Sequence, residues 1–201
     1  MKRIVLLGDS TREGYQDYVK EKLDGMAEVL VPPENCRFAL YLLRYVHMWK
    51  EEGNWGDDVD LVHWNAGLWD ALHVAGQEAL TEPEHYASII RRIDTRLRLL
   101  FPKAKVVFAT STPSVESRYT KDVFRINKEV EMYNALAIAA LWDTDEVIDD
   151  LYAAAKGVPD SYFIDSVHMY TPEGRKLLGD AVVNSICPLL GFEKQDDGSW
   201  K

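Results

Sequence analysis

Three side chains set far apart in this 201-residue chain have the types needed for nucleophilic hydrolysis. Ser10 follows Gly8-Asp9, a tight turn leaving the apolar run 4–7. A hydroxyl is a weak nucleophile at neutral pH and needs a base within hydrogen-bond reach. Asp165 and His168 offer one. Spaced three apart, a carboxylate can accept the imidazole Nδ1–H and fix its tautomer, leaving the other ring nitrogen as base. Each residue also has an ordinary use: Ser10 can cap a helix, and Asp165 can cap the chain beside a surface His168. The conjunction of the three favours the catalytic use. Asn65 closes another apolar run, 61–64. Its amide either donates to a developing oxyanion or satisfies backbone groups in a turn.

The elements that must position these residues alternate along the chain. Short apolar runs at 4–7, 28–31, 61–64, 106–109 and 146–148 read as buried strands. Amphipathic stretches at 14–23, 37–50, 83–100, 121–142 and 172–190 read as helices, the last opened by Thr171 as N-cap and Pro172 at the first helical position. Alternation of this kind predicts a five-stranded, mainly parallel sheet covered by helices on both faces. Such sheets bind ligands outside the carboxyl ends of their strands. The segments 8–10, 32–37, 65–70, 110–113 and 165–168 are therefore brought to one rim. There is no repeat or linker, so residues 1–194 read as one domain, with 195–201 a polar, loosely held tail. The acidic run 143–150 reads as a solvated connection.

Composition narrows the partners. Hydrophobic residues make up 47% and charged residues 28%, and 23 Lys plus Arg against 33 Asp plus Glu give a formal net charge of −10. That disfavours nucleic acid, whose phosphates need a basic face, and an anionic membrane surface. No apolar run reaches the roughly 20 residues of a membrane span, and residues 1–10 lack a secretory pattern, which predicts a cytoplasmic location. Cys36 and Cys187 read as reduced core residues. The histidines show no metal-ligand spacing, so neither metal nor cofactor is expected. Oligomeric state is not readable from the chain.

The order Gly8-Asp9-Ser10, then Asn65, then Asp165-Ser166-Val167-His168 resembles the SGNH/GDSL hydrolase family over nearly the whole chain. The resemblance implies a flavodoxin-like, three-layer α/β/α sandwich. It implies that Ser10 attacks an ester carbonyl with His168 and Asp165 behind it, and that Asn65 lines an oxyanion hole. Two blocks depart from the family pattern. The third reads His63-Trp64-Asn65-Ala66 where Gly-x-Asn-Asp is usual, so only the Asn carries over. The second has no Gly; Glu34-Asn35-Cys36-Arg37 stands in its place, and Cys36, with Arg37 as the other choice, is assigned the missing backbone donor.

A small-molecule ester is the expected partner, with small acyl groups, O-acetylated carbohydrate above all, ahead of lipid. Trp64 and Trp69 flank Asn65 and are placed in contact with substrate, together with Asp9 beside Ser10. A lysophospholipase or thioesterase would use the same machinery. A ligand-binding module without catalysis is the alternative from another class. A metal phosphoesterase using Asp9, Asp165 and His168 is the third.

Overall fold

The protein is described by a computed structural model covering residues 1–201. Its strands are β1 (Lys2–Leu7), β2 (Ala27–Leu30), β3 (Leu61–Trp64), β4 (His73–Val74), β5 (Lys105–Ala109), β6 (Val123–Phe124) and β7 (Val147–Asp149). Its helices are α1 (Ser10–Lys22), α2 (Ala39–Glu52), α3 (Pro83–Leu100), α4 (Asn127–Ala140), α5 (Leu151–Ala155) and α6 (Pro172–Leu190). Five strands form one all-parallel sheet in the order β2-β1-β3-β5-β7. This is the α/β sheet with helical layers that the alternating pattern implies.

Side-chain alternation sorts the two layers. Val5 and Leu7 of β1, Val62 and Trp64 of β3 and Phe108 of β5 face α2, α3 and α4. Ile4 and Leu6, Leu61, and Val107 with Ala109 face α1, α5 and α6. Each fully buried aliphatic side chain of this kind contributes about 1.5–3 kcal/mol of transfer free energy. A one-residue slip of β3 would exchange its two faces, so register is held by both cores at once. No helix is long and apolar enough to cross a membrane.

Helix starts depart from the sequence pattern where a side chain from elsewhere ends the coil. α1 begins at Ser10, not 14, because the Asp9 carboxylate accepts the Thr11 N–H at 2.9 Å and caps it. α2 begins at Ala39, not 37: Arg37 sits at φ 51°, outside the right-handed helical region, and Asp70 caps Ala39 N–H at 3.0 Å from another loop. The stretch 121–126 is not helical. Val123-Phe124 pairs antiparallel with His73-Val74 as a second, two-stranded ribbon, so α4 opens only at Asn127.

Two surface expectations change as well. The run 143–150 is not simply solvated: Asp149 is buried against His63 at 2.9 Å, and Glu146 accepts the Trp64 indole N–H. The tail is a hairpin, closed by main-chain bonds between Glu193 and Lys201 and from Gln195 to Ser199.

Candidate active site

The first and last helices of the α1/α6 layer bring the two ends of the chain together. Asp9 stops β1 and caps α1, which places Ser10 at the first helical position with its hydroxyl at the carboxyl rim of the sheet. Thr171 caps α6 at the same rim and Pro172 starts it, so the segment before them, 165–170, closes over Ser10. His168 Nε2 lies 2.9 Å from Ser10 Oγ, and His168 Nδ1 lies 2.6 Å from Asp165 Oδ2. The second carboxylate oxygen accepts the Val167 and His168 amides, each at 2.8 Å. Burial works to raise the Asp165 pKa, but these two amides and the ring outweigh it and hold the carboxyl below its ordinary value. Asp165 is thus held ionised beside the His168 ring. With side chains 29% and 47% exposed, His168 and Asp165 stand open to an incoming ligand.

Tyr170 ties this loop to Ser10. Its hydroxyl donates to the Ser10 carbonyl at 2.6 Å, and its ring packs 4.9 Å from the imidazole of His168. The seat exists because residue 14 is glycine: a Cβ there would fall 2.6 Å from the Tyr170 ring. Burial pushes the phenol up to about 12, so it remains a donor.

Asn65 is buried at the end of β3. Its Oδ1 overhangs Gly8 so closely that a Cβ at that residue would meet it at 1.9 Å, and Gly8 holds φ 159°. Oδ1 has no hydrogen-bond partner. Asp9, fully buried beneath it, is raised by burial despite the Thr11 amide, the Arg125 charge and the Asn65 amide, all of which favour its ionised form.

Four sequence assignments are corrected by these contacts. The Cys36 amide is spent within the fold: it donates to the Gly8 carbonyl at 3.0 Å, while Gly8 N–H points at Cys36 Sγ at 3.2 Å. It is not a free oxyanion donor. The Arg37 amide, the other choice, donates to Asn35 Oδ1 at 2.7 Å. Trp64 does not touch the rim; it has no exposed surface and packs edge-on to Phe108 at 4.9 Å. Asp9 also has no exposed surface, so it supports the turn instead of meeting substrate. Trp69 stays half-buried in the turn after Asn65 and remains available for contact.

Tyr170 and Arg125 were missed in the sequence. Tyr170 stands two residues past His168, and that nearness was there to be weighed. Arg125 lay inside a stretch read as helix, where a basic residue is unremarkable. No group of three or more His, Cys, Asp or Glu side chains is arranged to hold a metal ion, and Asp9, Asp165 and His168 form none. Cavities of about 520 and 590 Å³ lie elsewhere, the first between the starts of α2 and α3 with Phe38, Leu80 and His85 in its walls. Neither is lined by Ser10, Asp165 or His168.

The fold is that of the GDSL-type lipases and esterases among solved structures. A lipase/acylhydrolase from Enterococcus faecalis superposes with TM-score 0.71 at 20% identity, over 92% of this chain and 95% of that one. A GDSL-like lipase from Bacteroides thetaiotaomicron gives 0.69 at 17%, over 92% and 87%. An acetylxylan esterase from Geobacillus stearothermophilus gives 0.70 at 16%, over 92% and 94%. No protein-family model matches the chain, and no curated protein matches it.

Proposed function

We propose that this chain is a serine-dependent carboxylic-ester hydrolase that works through an acyl-enzyme, with small acyl esters of carbohydrate as its substrate class. The observation that carries the reading is the unbroken line from Asp165 Oδ2 through the His168 ring to Ser10 Oγ, at 2.6 and 2.9 Å. Neutral His168 takes the Ser10 proton as Oγ attacks the ester carbonyl, and Asp165 stabilises the imidazolium that forms. The tetrahedral oxyanion is met by the Ser10 amide, which at a helix start has no intrahelical acceptor, and by the Asn65 amide nitrogen. His168 then protonates the departing alcohol. Water, deprotonated by the same ring, attacks the acyl-Ser10 carbonyl and releases the acid. No cofactor takes part in this sequence.

The fold likeness supports the reading at the level of chemistry. One solved structure of the acetylxylan esterase is described as a catalytic mutant in which a serine is replaced by alanine. That enzyme's substrate, and the half-buried Trp69 in the turn that follows Asn65, favour acetylated sugar over lipid here. The test is an active-serine phosphonate label combined with a panel of short-chain p-nitrophenyl esters. Label should map to Ser10 alone, and Ser10→Ala should lose labelling and turnover together. Full ester turnover in Ser10→Ala would overturn the proposal.

A further inference from the structure

Two arginines are buried in this chain, and they are neutralised differently. Arg12 on α1 donates to the Glu34 carbonyl at 2.9 Å and to Gln16, and Glu13 stands 3.7 Å away. Arg125 is 8% exposed and forms no ion pair, although the chain carries 33 Asp plus Glu. Its Nε donates to the Leu68 carbonyl, and its Nη1 meets the Tyr119 hydroxyl at 3.3 Å. Both acceptors are neutral. Its Nη2 makes no hydrogen bond within the chain and is not sealed from solvent. A desolvated guanidinium held only by neutral groups is a costly arrangement that a negative partner would relieve.

The place of Arg125 says where that partner arrives. Leu68 lies three residues past Asn65, in the turn that leaves β3. Arg125 directly follows β6, and the pairing of β6 with β4 lays this segment against the same turn. Its charge reaches Asp9, the neighbour of Ser10. Asp9 does not complete the pair: its Oδ1 accepts the Thr11 amide, its Oδ2 has no hydrogen-bond partner, and the buried carboxyl makes no ion pair with Arg125. The geometry points to an ester that carries a carboxylate as the substrate, its anionic group taken by the free edge of the Arg125 guanidinium beside Ser10. A planar, singly charged carboxylate suits the planar fork and the single unmatched positive charge; a doubly charged phosphate would leave one charge unmatched. Tyr119 lies against the neighbouring Nη1, and half-buried Trp69 follows Leu68 in the same turn, so an acetylated sugar acid suits both the charge and these aromatic residues. This inference rests on the esterase reading of Ser10.

The experiment compares matched esters that differ in one charge. On the alcohol side the pair is 4-acetoxybenzoate and methyl 4-acetoxybenzoate; on the acyl side it is phenyl hydrogen succinate and methyl phenyl succinate. In the first pair the methyl ester has the better leaving group, so a preference for the anion comes from the protein. The wild type should favour the anion by at least about tenfold in kcat/KM in one pair, with the preference shrinking as salt rises. Arg125→Met should bring that ratio close to one. Arg125→Lys, which keeps the charge and loses the fork, should lower it several-fold, and it serves if the methionine variant does not fold. Equal rates on both members of both pairs would overturn the inference while leaving the esterase standing. So would a ratio that Arg125→Met, or failing it Arg125→Lys, leaves unchanged. Absence of turnover on all four esters would remove the esterase reading itself, and the inference with it.

Discussion

The two halves of the site are built from different material. On the α1/α6 side, Ser10 at the start of α1 and Asp165 and His168 in the loop before α6 are partly exposed and joined by hydrogen bonds that their types alone suggest. Beneath them, Asn65 at the end of β3, Asp9 between β1 and α1, and Arg125 are buried, and their surroundings are main-chain amides, a glycine close approach and charges that are not in direct contact. The first half is a matter of which groups are present. The second is a matter of which donors remain unspent after the fold has used the others. Cys36 shows the difference: its amide is in the right loop, and the Gly8 carbonyl has already taken it.

Breaking each half in turn should give effects of different size. Ser10→Ala removes the proposed nucleophile and should lower kcat on a p-nitrophenyl ester by about 10⁴–10⁶, measured against background hydrolysis. Asn65→Ala removes one oxyanion donor and should lower kcat by about 10²–10³ with a much smaller change in KM. An Asn65→Ala enzyme with wild-type kcat would mean that the buried half holds structure and not the transition state.

The same contrast explains what could be read from the residues alone. The five core strands are short apolar runs ended by polar turns, and the carboxyl-end rule then collected Ser10, Asn65 and His168 at one rim. Boundaries failed where a distant group decides them. Asp70 caps α2 across 31 residues of chain, and β6 exists only because His73-Val74 pairs with it. Trp64 was misplaced for a related reason: alternation along β3 puts Asn65 at the rim, and its neighbour Trp64 then points into the α2/α3/α4 core. Adjacency in sequence was mistaken for adjacency in the site.

Tyr170 offers a smaller perturbation that sharpens the comparison, because it acts on the exposed half through orientation alone. Tyr170→Phe keeps the ring against His168 and removes the bond to the Ser10 carbonyl. One neutral hydrogen bond of about 1 kcal/mol corresponds to roughly five- to tenfold in kcat if it orients the nucleophile, with KM almost unmoved. Gly14→Ala, which pushes a methyl into the Tyr170 ring, should reproduce the loss. Stability loss without any change in kcat in either variant would assign Tyr170 to packing only.

The remaining expected effect is on stability, and in it a carboxyl buried behind β3 and the exposed carboxyl of the site titrate in opposite directions. Burial raises Glu146, against the opposing Trp64 hydrogen bond and helped by the Asp94 charge, to about 8. The folded chain therefore keeps this proton at pH values where the unfolded chain has released it. Its stabilisation is complete below the ordinary glutamate value of 4.5, declines as pH rises and is gone above about 8. Asp165 is held below its ordinary value of 3.8, so its contribution is present above that value and is lost as pH falls through the folded-state pKa. Glu146→Gln cannot ionise and still offers Trp64 an amide oxygen. Its Tm should match the wild type near pH 4.5 and exceed it at pH 8, each kcal/mol moving Tm by roughly 2–4 °C for a chain of this size. Asp165→Asn should do the reverse, lowering Tm at neutral pH and converging with the wild type in acid. Thermal melts of both variants from pH 3 to pH 8 decide the matter. A Glu146→Gln offset that stays constant over that range would show that the buried carboxyl does not hold its proton, and would erase the electrostatic contrast between these two carboxyls.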